Sequence, residues 1–94
     1  MKLIDEKLLD EFRGVRPCEM CLKPSYCYAH HLLSKGAGRV DIRRNLAAVC
    51  WFCHRRIHDS YEAKCSIFGV VALREGVRVE DIEAAVWLIR RSEK

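Results

Sequence analysis

The sequence predicts a small α+β domain, on three observations. Two C-x₂-C pairs, Cys18-Glu-Met-Cys21 and Cys50-Trp-Phe-Cys53, each bring two thiols to a tight turn. Short runs of strand character lie between them, and stretches of helical periodicity flank them on both sides. The chain has 94 residues, room for one core and hence for a single domain over residues 1–94. Cores of this size commonly need a metal or a disulfide as supplement.

The elements follow in order. Residues 3–13 read as an N-terminal amphipathic helix, with Ile4, Leu8 and Phe12 on one face, Leu9 beside them and Gly14 as the stop. Pro17 leads into the first cysteine pair, and Lys23-Pro24-Ser25 turns the chain again. Tyr26 to Leu33 suits a strand, followed by a basic loop from Ser34 to Arg44 containing Gly36 and Gly38. Leu46-Ala-Ala-Val-Cys50 suits a second strand that runs into the second cysteine pair. Helix then takes over. His54 and His58 are four apart and share a face. A C-terminal helix is expected over about 59–75, with Tyr61, Cys65, Phe68 and Ala72 in register and a stop near Gly76. Residues 80–91 form the clearest helix, with Ile82, Ala85, Val86 and Ile89 as its apolar stripe. Its acidic start and basic end match the helix dipole.

Composition excludes several classes. Half of the residues are apolar, too many for a disordered tail. No apolar run approaches the roughly 20 residues that span a bilayer, and carboxylates interrupt the N-terminus too early for a signal peptide. No membrane partner is expected, and a cytoplasmic location is. Without a secretory signal, four of six cysteines in C-x₂-C pairs point to metal rather than to disulfides. The net charge of +4 is mild, but its distribution is not. Lys35, Arg39, Arg43, Arg44, Arg55 and Arg56 are opposed within residues 35–56 by Asp41 alone. Such clustering suits a phosphate backbone.

Zn²⁺ takes four ligands in a tetrahedron and favours thiolates at structural sites. Cys18, Cys21, Cys50 and Cys53 supply two corners each, so a structural Zn²⁺ is expected there. Cys27 and Cys65 fall outside the pairs and read as small buried hydrophobes. The four histidines, His30, His31, His54 and His58, all lie in the half bounded by the cysteines. Adjacent strand residues point to opposite faces, so His30 and His31 cannot aim at one spot without a bend. His54 and His58 can grip one ion from a single helical turn.

Ala29-His30-His31-Leu32, Asn45-Leu46 and Cys50-Trp-Phe-Cys53-His54-Arg-Arg-Ile-His58 together resemble the HNH endonuclease family, in the form with an extra four-cysteine zinc site. The resemblance covers residues 18–58. It implies the ββα-metal (His-Me finger) fold, a hairpin and a helix around one ion, here stabilised by zinc and flanked by N- and C-terminal helices. It implies that His30, His54 and His58 hold a catalytic divalent metal, that His31 is the general base, and that Asn45 holds the loop and helps to orient that base. Many members carry Asp where this chain has His30. Three imidazoles make a softer site, leaving Mg²⁺, Mn²⁺, Ni²⁺ and Zn²⁺ all open. The family's Pro after the histidine pair is absent, and its paired glycines are split as Gly36-Ala37-Gly38.

The function implied is a metal-dependent DNA endonuclease or nickase. The ion neutralises charge on the scissile phosphate while His31 takes a proton from the attacking water. The alternative is an inactive zinc-containing DNA-binding module of the same fold. Double-stranded DNA read with weak sequence specificity is the expected partner, with Lys35, Arg39, Arg43, Arg44, Arg55 and Arg56 as candidate phosphate contacts. The resemblance, to compact members of phage type, also allows a homodimer or a phage protein partner.

Overall fold

The structure, a computed structural model, describes residues 3–33 and 38–92. Its centre is a three-stranded antiparallel sheet in the order β1-β2-β3: β1 Gly14–Pro17, β2 Pro24–His31 and β3 Leu46–Cys50. Cys27 pairs with Gly14 on one side and with Cys50 on the other. The described residues also form four helices, α1 Glu6–Asp10, α2 Trp51–Asp59, α3 Tyr61–Glu75 and α4 Val79–Arg91, of which α2 and α3 pack on the sheet. A 3₁₀ turn, Arg43–Asn45, delivers the chain into β3.

All five residues of β3 are buried, as expected of a continuous apolar run covered on both faces. Its outer edge is covered too. The Glu19 amide donates to the Ala48 carbonyl at 2.9 Å and the Glu19 carboxylate accepts from the Ala48 amide at 2.8 Å. Arg74, from α3, donates to the Leu46 and Arg43 carbonyls at 3.0 and 2.6 Å and to both Glu19 oxygens at 2.7 Å. No bare strand edge is left there to pair with another chain. The first cysteine turn, β3 and α3 are thereby tied together through two side chains.

The N-terminal helix is shorter than residues 3–13. Asp5 caps it, accepting from the Leu8 amide at 3.0 Å, and only Glu6–Asp10 are α-helical. Residue 3 is instead extended: the Leu3 amide donates to the Arg39 carbonyl at 2.8 Å and the Asp41 amide to the Leu3 carbonyl at 2.7 Å. Leu9 and Phe12 are the residues this segment buries, while Ile4 is exposed. Gly14 does more than stop the helix. At φ 95° it opens β1, a strand the sequence reading passed over.

The later helices follow their expected spans more closely. The 59–75 helix begins at Tyr61, after Ser60 breaks the chain and caps α3 through a hydrogen bond from the Ala63 amide. It ends at Gly76, whose left-handed φ of 68° glycine adopts without a steric cost. Its buried face corrects the expected one. Ala63, Ile67, Val71 and Ala72 are inside, whereas Tyr61 and Cys65 are exposed. The 80–91 helix is Val79–Arg91 and buries Ile82 and Val86 as expected. Among the described residues, no helix is long and apolar enough to cross a membrane.

Candidate metal centres and active site

Cys18, Cys21, Cys50 and Cys53 converge. Their four Sγ atoms lie within 4.8 Å of one another, with Cys21 and Cys50 4.0 Å apart. A tetrahedron with Zn–S near 2.3 Å requires sulfurs roughly 3.8 Å apart, so the cluster fits zinc. The turn geometry explains the convergence. The amides of Cys21 and Cys50 both point at Cys18 Sγ, at 3.5 and 3.4 Å. Burial pushes the Cys18 thiol up, but these amides, with that of Met20, outweigh it and bring the pKa down to about 7. Cys53 lacks such compensation; burial and the neighbouring sulfurs push its thiol up. Cys27 is buried beside the cluster, as expected. Cys65 is not buried but sits on the outer side of α3, which corrects its reading as a core residue.

The second cluster stands where α2 crosses β2. One ring nitrogen from each of His30, His54 and His58 lies within 4.8 Å of the others, and Nε2 of His54 and Nε2 of His58 are 3.4 Å apart. Two imidazoles at a tetrahedral ion with M–N near 2.0–2.1 Å would stand about 3.3 Å apart, so this donor set also fits a divalent metal. The rings meet nearly edge to face, at 75°, 89° and 90°. Burial first, then the neighbouring imidazoles of His54 and His58, bring the His30 pKa down to about 4. The nitrogen lone pair is thus kept available for a metal at neutral pH.

His31, the last residue of β2, turns the other way. Its Nε2 lies 2.7 Å from Asp41 Oδ1, and both side chains are nearly enclosed. Burial would raise the Asp41 carboxyl, yet Arg39, the Asp5 amide and His31 together hold it down at about 2. An ionised Asp41 accepts from Nε2–H, which leaves Nδ1 of a neutral His31 as the proton acceptor. Asn45 plays a different part. Its Oδ1 accepts from the Leu33 amide at 2.8 Å and its Nδ2 donates to the Val40 carbonyl at 2.9 Å. It closes the two ends of the loop on each other, and Asp41, not Asn45, is the side chain hydrogen-bonded to the His31 ring.

One cavity of about 770 Å³ joins these groups. It is lined by His30, His31, His54 and His58 together with Tyr28, Trp51 and Lys64. Of the six basic residues expected at a phosphate backbone, Lys35 lies outside the described residues, and none of the other five lines the cavity. Arg39 is paired with Asp41 and Glu6. Arg43 reaches Glu11 and Glu75, and Arg44 is half-buried in the 3₁₀ turn. Arg55 lies over the Trp51 ring at 5.5 Å, and the neighbouring Arg56 is exposed.

Sequence reasoning missed Asp41, which it counted only as a lone counter-charge, and Lys64. In the sequence Trp51 stands out only as part of the motif and Tyr28 only as a strand residue. Asp41 lies ten residues from His31, across a loop whose path no local pattern predicts.

Comparison with known proteins agrees with the geometry. Residues 18–60 match the family model described as HNH endonuclease. No curated protein and no solved structure matches the chain.

Proposed function

We propose, from the HNH endonuclease domain that this chain carries over residues 18–60, that the protein is a divalent-metal-dependent DNA endonuclease or nickase. One observation carries the reading: three imidazoles with converging nitrogens and a carboxylate-held fourth imidazole line the same cavity. A plain zinc module has no use for the fourth histidine.

His30, His54 and His58 would hold the catalytic ion, which supplies Lewis-acid stabilisation of charge developing on the phosphoryl oxygens and the leaving 3′-oxygen. The remaining work belongs to the chain. His31 Nδ1 accepts the proton of the attacking water. Asp41 keeps Nε2 protonated, fixes the ring and stabilises the imidazolium that forms. Asn45 holds Leu33 and Val40 together, so that His31 and Asp41 meet at 2.7 Å. Lys64 offers a cation at the cavity wall, and Arg55 and Arg56 a basic approach along α2. Cys18, Cys21, Cys50 and Cys53, holding zinc, anchor the start of α2 and with it His54 and His58.

Replacing His31 with Ala tests the assignment. Nicking of supercoiled plasmid should fall by about 10²–10⁴-fold, with zinc content and the cooperative thermal transition retained. A mutant that nicks at the wild-type rate removes His31 from the role of base. Running the unsubstituted protein in Mg²⁺, Mn²⁺, Ni²⁺ and Zn²⁺ identifies the working ion.

A further inference from the structure

The cavity does not end at the histidines. Along β2, Tyr26, Tyr28 and His30 alternate onto one face. Along α2, Trp51, His54 and His58 follow at i, i+3 and i+7 and share one side. Strand and helix therefore both run from a metal-ligating half into an aromatic half, and Tyr28 and Trp51 line the same cavity as the ligands. These rings are not core: Tyr26, Tyr28 and Trp51 are 58%, 44% and 57% exposed. The Tyr26 ring meets Tyr28 edge-on with centroids 5.2 Å apart, and Arg55 lies across Trp51. A phosphate held at the three imidazoles would lie in a cavity whose wall also carries the Tyr28 and Trp51 rings. Tyrosine and tryptophan faces beside a guanidinium suit the face of a nucleobase. In a paired helix both faces of each base are already stacked on neighbours, so the rings can be used fully only by a base that has left the stack.

We propose that Tyr28 and Trp51 form a base-stacking shelf beside the metal site, and that the preferred substrate carries an unpaired nucleotide next to the scissile phosphate. This deepens the nuclease reading and rests on it.

The test uses the zinc-loaded full chain in a His31→Ala background, which binds without turning the probe over. Fluorescein-labelled DNA is presented as a single strand, a fully paired duplex, a duplex with one central bulged nucleotide, and the same bulge made abasic. The expected anisotropy result is affinity about tenfold higher for the single strand and the bulge than for the paired duplex. The abasic bulge should behave like the duplex. Trp51→Ala and Tyr28→Ala should each remove most of that preference, lowering affinity for the single strand and the bulge more than for the duplex. With Trp87→Phe added, Trp51 is the remaining tryptophan, and its emission should be quenched by the bulge but not by its abasic form. Equal affinity for all four probes overturns the shelf, as does equal weakening on every probe. A dimer that dissociates on Trp51→Ala assigns these rings to a second copy instead and also overturns it. Plasmid nicking by the unsubstituted protein separates the two levels. Nicking without the preference sinks only the shelf, whereas neither binding nor cutting sinks the nuclease reading with it.

Discussion

The thiol cluster and the imidazole cluster both bring their donor atoms within 4.8 Å of one another, yet their surroundings are opposite. Cys18, Cys50 and Cys53 are buried, and the chain supplies all four corners of the tetrahedron. At the other cluster His30 is buried but His58 is exposed, and a cavity opens beside three donors. A shell completed by the chain has no place for substrate and can only add stability. A shell of three donors beside a cavity admits an outside oxygen. Number of donors and access, rather than residue type alone, are what would separate a structural centre from a reactive one.

That contrast can be broken most forcefully at the thiols. Chelating zinc should remove stability on the order of 10 kcal/mol, and Cys50→Ser alone more than about 4 kcal/mol, read as loss of the cooperative thermal transition. His54→Ala removes one donor from the other cluster and should abolish cutting while leaving the transition in place. Equal melting losses in the two variants would erase the distinction.

A smaller effect tests the acidic partner of His31. The Asp41 pKa is depressed to about 2 from an ordinary value of 3.8. The unfolded chain therefore takes up this proton first as pH falls. Asp41 contributes about 2 kcal/mol that is fully present above the unfolded value and is lost as pH drops towards 2. The stability difference between wild type and Asp41→Asn should shrink as pH falls below about 4. Release of zinc by acid is common to both proteins and cancels in the difference. A difference that does not change with pH would mean that the carboxylate is not held ionised.

The smallest effect concerns the first cysteine turn. Leu22 is exposed and holds φ at 68°, the left-handed region that disfavours a side chain. Leu22→Gly should stabilise the zinc-loaded protein by about 0.5–1 kcal/mol, seen as a higher urea midpoint. A lower midpoint would show that the Leu22 side chain contributes packing that outweighs the backbone strain.

The sequence made the two clusters legible because metal chemistry demands fixed residue types at short spacings. Cys18 and Cys21, or His54 and His58, each declare themselves within one turn. The strand Leu46–Cys50 and the helix ending at Gly76 were legible for a similar reason: continuous burial and a left-handed stop are local signals. The buried face of α3 was not. Its apolar residues run nearly all the way round, so periodicity alone could not choose Ile67 and Val71 over Tyr61 and Cys65. That choice is made by packing against distant elements. The strand Gly14–Pro17 escaped because four residues, two of them exposed, carry no alternation long enough to read. Asp41 escaped because its meaning depends on Arg39, Asp5 and His31 arriving at one point from three segments.

Arg74 bears on portability. It lies well outside residues 18–60, yet its guanidinium binds the Glu19 carboxylate, the carbonyls of Arg43 and Leu46, and lies over the buried Phe12 ring at 5.1 Å. Excising residues 18–60 would strip those acceptors of their donor and Phe12 of its place, whatever zinc did for the cysteines. The segment that carries the recognisable motif is therefore smaller than the segment that can be moved. A graft that is to keep its shape must take α1 and α3 with it.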